Sequence, residues 1–252
     1  MNKEIEKAAK LASLKENPLF PEIELFLDFL AVEKGLSMNT IFSYRFDLAD
    51  FCTFLLANGL KDWTSLGKKN IIDYLLYLKE NGKSAATLAR HMAAIKSLCH
   101  YLTAEKIIIA DPSINLETPK MAKRYPQVMT QEQVQALLNA PKNDIPGLRD
   151  KAMLELLYAT GLRVSELLQI DLGDINFSLG FLRTKGKGSK ERIVPIGHYA
   201  LEAVTAYIEK SRSKLLHDKT EALFLNQKGT RLSRQGFWKL LKQYTRQIGL
   251  SE

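Results

Sequence analysis

Tyr158-Ala159-Thr160-Gly161-Leu162-Arg163-Val164-Ser165-Glu166-Leu167 is the stretch on which the reading of this chain turns. Gly161 falls where a helical apolar pattern stops and the chain must reverse, and a short helix restarts near Arg163. Arg163 and Glu166 are three residues apart, so they share a face of that helix and the acid can fix the guanidinium in one orientation. A fixed guanidinium can grip two phosphate oxygens at once. Taken alone, the pair reads more simply as a surface ion pair, which contributes little to stability.

The next stretch changes that balance. Arg183-Thr184-Lys185-Gly186-Lys187-Gly188-Ser189-Lys190-Glu191-Arg192 reads as two strands joined by a tight turn with Lys187 at its tip. Glycine on both sides permits positive φ and close approach of the backbone to a ligand. Arg183, Lys185, Lys190 and Arg192 flank the tip. A lysine presented this way can enter a DNA groove and give a proton to a leaving oxygen. A solvated turn with lysines kept for solubility fits the same residues about as well. The turn is not a Walker A loop, because the spacing from an earlier glycine fails and it joins two strands.

Outward from these motifs, the pattern predicts a mainly α chain in two parts. Before the linker, four amphipathic helices with short loops predict a small bundle. Pro21 to Lys34 carries Ile23, Phe26, Leu27 and Leu30 inward and stops at Gly35. Ser37 caps a second helix with Ile41, Tyr44, Leu48, Phe51 and Leu55 inward. A third runs from Lys69 to Glu80. Ser84 caps a fourth with Leu88, Met92, Ile95, Cys99 and Leu102 inward. Pro112, Pro119 and Pro126 break the pattern. We therefore expect an N-terminal extension at 1–20, the helical bundle at 21–110, a linker at 111–127 and a second domain at 128–252.

The second domain reads as α+β. Thr130 and Gln133 predict a capping box, and a helix spans about Leu148 to Tyr158. Asp174–Phe177, Phe181–Thr184 and Arg192–Ile196 predict a small three-stranded antiparallel sheet. Helices return at about Tyr199–Ser211 and Ser233–Ile248. Tyr199, Tyr207 and Tyr244 lie on amphipathic helices and are read as packing residues.

The chain has 252 residues with formal net charge +8 and pI near 9.3. A polyanionic partner, nucleic acid first, is one reading of that charge. No apolar run is long enough to span a membrane, and the start lacks a signal-peptide core. Cys52 and Cys99 read as buried thiols of a reducing cytoplasm. The four histidines show no metal-ligand spacing, so no metal site is expected.

Several of these residues carry a family resemblance. The run Tyr158 to Leu167, the turn at Gly186-Lys187-Gly188 and Lys190-Glu191-Arg192-Ile193-Val194-Pro195-Ile196-Gly197 resemble the tyrosine recombinases (phage integrase family) of the Xer type. The details lie nearer the XerD branch than the XerC branch. Asn39-Thr40, Tyr44, Asp47-Leu48 and Phe51 match the family's first DNA-clasping helices, and Thr87-Leu88-Ala89-Arg90-His91 its later ones. The resemblance spans about Leu25 to Leu250. It implies a DNA-binding bundle followed by a catalytic domain, and cleavage by a tyrosine through a 3′-phosphotyrosyl intermediate with no cofactor. It implies that Arg163 holds the phosphate, that Glu166 supports Arg163 and that Lys187 protonates the leaving 5′-oxygen.

The same resemblance offers Thr40, Arg45, Arg90, Arg183, Lys185 and Lys190 as DNA contacts. Lys96 reads as a solvated position, and Arg234, Lys239, Lys242 and Arg246 as additional phosphate contacts. The implied partners are double-stranded DNA, a homo-tetramer or a hetero-tetramer with a XerC-like recombinase, and a DNA translocase as activator, in the cytoplasm and off the membrane. The implied role is resolution of chromosome or plasmid dimers, in step with cell division. The family also needs a His-x-x-Arg motif, a later His or Trp, and the nucleophilic tyrosine. None is expected within 1–252, so the catalytic domain is expected to be truncated, inactive alone, and to leave Phe237, Leu240, Leu241 and Tyr244 as an exposed patch. A non-catalytic DNA-binding remnant, a mobile-element integrase fragment and a helical interaction module remain as alternatives.

Overall fold

The computed structural model describes residues 16–117, 128–186 and 191–250. The chain divides into two compact units, Met1–Tyr125 and Pro126–Glu252.

The first unit is a bundle of α1 (Phe20–Val32), α2 (Met38–Ala57), α3 (Lys68–Glu80) and α4 (Ala85–Ala104). Ser37 and Ser84 accept from the N–H of Thr40 and Thr87, which starts α2 and α4 where their orphan amides need partners. The helical period then sets the core. Ile41, Leu48, Phe51 and Leu55 of α2 and Leu88, Met92, Ile95, Cys99 and Leu102 of α4 are all buried, as the spacing predicts. Phe51 packs against Tyr74 and Trp63, and the Trp63 indole N–H donates to the Leu19 carbonyl at 3.1 Å. The packed unit reaches further at both ends than the sequence suggests. Asn17, Leu19 and Phe20 are buried, and Ile108, Ser113 and Leu116 close over the far side. Lys96 donates to the Leu116 carbonyl at 2.5 Å and is half-buried, so it is a structural lysine rather than a solvated one.

The second unit holds α5 (Gln131–Asn139), α6 (Ile145–Thr160), α7 (Val164–Gln169), β1 (Ile175–Asn176), β2 (Phe181–Lys185), β3 (Glu191–Pro195), α8 (His198–Tyr207) and α9 (Arg234–Gln247). The strands form one antiparallel sheet in the order β1-β2-β3. Thr130 and Gln133 make the expected reciprocal cap of α5, at 2.9 and 3.2 Å. Helix α8 continues through a π-helical turn at Ile208–Arg212, where Arg212 is buried and donates to the carbonyls of Thr220, Ala222 and Leu223.

Two expectations fail here. Phe237 and Tyr244 of α9 are buried, and Leu240 and Leu241 are half-buried against the same core, so these four residues form no exposed patch. Their cover comes from α5, α6 and α7 of the same unit. Tyr199 is 77% exposed, so packing does not account for it. It falls in the first turn of α8 on the solvent side, whereas Tyr207 and Tyr244 face inward.

Candidate functional site

Helix α6 ends at Gly161, whose φ of +60° lets the chain turn out of the helix. Leu162 plugs into the core, and Arg163 follows in an extended conformation as the residue that precedes α7. Arg163 therefore sits just before the helix rather than on a face shared with Glu166. The capping arrangement brings them together. The Arg163 N–H donates to Glu166 Oε2 at 2.9 Å, and Arg163 Nη1 donates to Glu166 Oε1 at 3.0 Å. The Arg163 side chain is 70% exposed and that of Glu166 only 7%.

The far end of α7 is fixed as well. Arg231 Nη1 donates to the carbonyls of Leu168 and Ile170 at 2.9 and 3.2 Å, and Arg231 also pairs with Asp171. The short helix that carries Glu166 is thus anchored beyond its own hydrogen bonds.

A second cation reaches the same acid. Arg192 Nη2 donates to Glu166 Oε2 at 2.9 Å. Strand register explains why. Arg192 lies opposite Thr184, and Val194 opposite Leu182. Leu182 and Thr184 are buried, so Arg192 and Val194 share their inward face. Arg183, opposite Ile193, falls on the other face, exposed, with a long contact of 3.4 Å to the Gly173 carbonyl. The register of β3 on β2, which the sequence does not define, is what separates Arg192 from Arg183.

Burial pushes the Glu166 carboxyl upward, but the hydrogen bonds from Arg163 and the charges of Arg192 and Arg163 outweigh it. The group is held below its ordinary value of 4.5 and stays ionised. One anionic carboxylate thus holds two arginines and leaves most of the Arg163 guanidinium turned to solvent.

The other predicted residues fall as follows. Lys185 ends β2 in register with Glu191. Lys187 and Lys190 lie outside the described residues. In the first unit, the Thr40 hydroxyl is 3.0 Å from Ser37 Oγ, within the cap of α2. Arg45 pairs with Glu24 at 2.6 Å. Arg90 pairs with buried Asp47 at 2.6 Å. Arg234, Lys239, Lys242 and Arg246 are exposed on α9. Among the described residues no cluster of three or more His, Cys, Asp or Glu could hold a metal ion, and no helix is long and apolar enough to cross a membrane.

A helical bundle followed by a mainly helical unit with a small three-stranded antiparallel sheet is the fold of the integrases. The chain belongs to the phage integrase family of tyrosine recombinases. Residues 127–252 match the phage integrase family and residues 23–106 its N-terminal SAM-like domain. The chain is 45% identical over 233 residues to the tyrosine recombinase XerD of Halalkalibacterium halodurans, covering 91% of this chain and 78% of that protein. It is 42% identical over 234 residues to the tyrosine recombinase XerC of Herpetosiphon aurantiacus, covering 92% and 76%. Its fold is similar to that of a lambda integrase (75–356) dimer bound to a COC′ core site, with TM-score 0.71 at 18% identity over 93% of this chain and 82% of that one. XerH bound to palindromic difH substrate is also similar, with TM-score 0.66 at 19% identity over 86% and 65%.

Proposed function

We propose that the chain is a Xer-type site-specific recombinase that cuts and rejoins double-stranded DNA through a 3′-phosphotyrosyl intermediate, in the resolution of chromosome or plasmid dimers in the cytoplasm. In this reading a tyrosine oxygen attacks the scissile phosphorus, the bond to the 5′-oxygen breaks, and Lys187 gives that oxygen its proton. Arg163 grips the non-bridging oxygens while their charge changes, and Glu166 keeps it aimed. The broken phosphodiester's energy stays in the protein–DNA bond, so the reaction calls for no cofactor. We assign the nucleophile to none of Tyr199, Tyr207 and Tyr244, and residues 1–252 by themselves are expected to bind DNA without cutting it.

The bundle at 21–110 and the unit at 128–252 both contact the duplex, through Thr40, Arg45 and Arg90 in the first and Arg183, Lys185 and Lys190 in the second. The working assembly is a tetramer on DNA, with a XerC-like partner or with further copies of this chain, and a DNA translocase as activator.

The observation that carries the reading is the solvent-facing Arg163 guanidinium held by buried, ionised Glu166. The test uses residues 1–252 with duplex DNA and with a suicide substrate. We expect duplex binding that weakens steeply as salt rises and no covalent adduct. Affinity that stays flat with salt overturns the DNA-binding part. An adduct formed by residues 1–252 overturns the assignment of the nucleophile.

A further inference from the structure

The first unit contains a buried polar chain that the proposed reaction does not use. Tyr74 of α3 and His91 of α4 meet at 3.0 Å between the Tyr74 hydroxyl and His91 Nδ1. His91 Nε2 lies 3.2 Å from Asp47 Oδ1 of α2, and Arg90 Nη1 donates to Asp47 Oδ2 at 2.6 Å. The chain starts at a ring with no exposure and ends at an arginine whose side chain is 47% exposed, against 3% for Asp47. Three helices therefore contribute to fixing one surface guanidinium.

Packing alone does not call for this arrangement. Burial pushes the Asp47 carboxyl up to about 6 even though Arg90 pulls it down, so the ionised acid costs stability where it sits. Apolar side chains of similar volume often replace a buried ion pair with no loss of stability. What the acid does supply is direction. Its two oxygens serve different partners, His91 and Arg90, and Arg90 is engaged through Nη1. A guanidinium has five donors in a rigid fork, so the rest remain for an anion outside. Arg163 is built the same way in the second unit: an exposed arginine, a buried acid, and a second basic side chain (Arg192) on that acid.

We propose that Asp47, His91 and Tyr74 are positioning residues that present Arg90 as a backbone-phosphate clamp in the N-terminal unit. The proposal rests on the DNA-binding reading above. Arg90 is the contact, and the other three act through it.

The test measures affinity of residues 1–252 for a random-sequence duplex across a salt series, with folding checked by thermal unfolding. Arg90→Gln should make the slope of log K against log salt shallower by about 0.9, one phosphate contact. Asp47→Asn should weaken binding by roughly threefold to tenfold, and the loss should vanish when Arg90→Gln is already present. Tyr74→Phe keeps the buried ring and carries the same comparison with a smaller loss, should Asp47→Asn not fold. A slope unchanged by Arg90→Gln overturns the proposal. So does a loss from Asp47→Asn or Tyr74→Phe that persists at full size in the Arg90→Gln background, because that loss would be structural. A parent chain that binds no duplex at low salt removes the DNA-binding reading and the proposal with it.

Discussion

Arg192 of β3 donates to the same Glu166 oxygen that accepts the Arg163 backbone N–H, both at 2.9 Å. Strand β3 and the residue that opens α7 are therefore coupled through a single atom. Displacing Arg192 frees one side of Glu166, and Arg163 loses part of its restraint. We expect Arg192→Gln to lower the stability of the second unit by about 1 kcal/mol, the scale of a charge-assisted bond discounted for the half-exposed arginine. Urea unfolding read from a probe in that unit checks it. DNA affinity should fall as well, beyond the loss of one charge. A variant with full stability and unchanged affinity would show that the shared oxygen couples nothing.

Glu166 gives a pH signature. Its folded-state carboxyl titrates below the ordinary 4.5. A depressed pKa contributes stability that is fully present above the unfolded value and is lost as pH falls through the folded one. The stability difference between the parent and Glu166→Gln should therefore be constant from neutral pH down to roughly pH 5 and shrink below about pH 4.5. Unfolding curves at a series of pH values measure this directly. A difference that grows on acidification would contradict the charge pairing.

Tyr244 is a structural tyrosine, and its substitution should separate packing from chemistry. Its hydroxyl donates to Asp150 Oδ2 at 2.8 Å, while Arg149 Nε donates to Asp150 Oδ1 at 2.8 Å and Arg149 Nη1 to the Leu225 carbonyl at 2.9 Å. Burial and the neighbouring Asp150 push the phenol well above its usual range, the opposite of what a nucleophile needs. Tyr244→Phe should cost about 1 kcal/mol. Asp150→Ala leaves Arg149 buried and unpaired and should cost roughly 3–5 kcal/mol. Chemical denaturation distinguishes the two, and equal losses would mean that the three groups do not form one network.

The helices were legible because their signals are local. Ser37, Ser84 and Thr130 each cap the helix that follows, and the three-and-four spacing of Leu88, Met92, Ile95, Cys99 and Leu102 places all five inside. Arg163 and Glu166 were legible as a pair, but not the cap geometry that joins them, because that depends on where α7 begins. Arg192 was not singled out, since the face of a strand residue follows from a register that only pairing with β2 defines. The Asp47–His91 contact joins helices far apart in sequence, and each residue alone sits on an ordinary amphipathic pattern.

Gly161 and Gly147 bracket α6, the helix that leads to Arg163, and they should respond to alanine differently. Gly161 has φ of +60°, and no atom lies within 4 Å of the point a Cβ would occupy, so the only penalty is the backbone conformation. Gly161→Ala should cost about 1 kcal/mol. Gly147 sits in the first turn of α6, where its N–H donates to Asp144 Oδ1 at 2.8 Å. A Cβ there would lie 2.0 Å from the Lys142 carbonyl oxygen, which is backbone and cannot rotate away. Gly147→Ala must therefore shift the entry to α6 and should cost roughly 2–4 kcal/mol, above the usual range for surface changes. Because α6 also sets where Gly161 releases the chain, that shift should propagate to Arg163 and weaken DNA binding along with stability. Gly161→Ala meets no neighbouring atom and leaves Arg163 in place, so its loss of affinity should be smaller than that of Gly147→Ala. Paired unfolding and binding measurements on the two variants check the order, and a Gly147→Ala variant as stable as the parent would refute the close approach at Lys142.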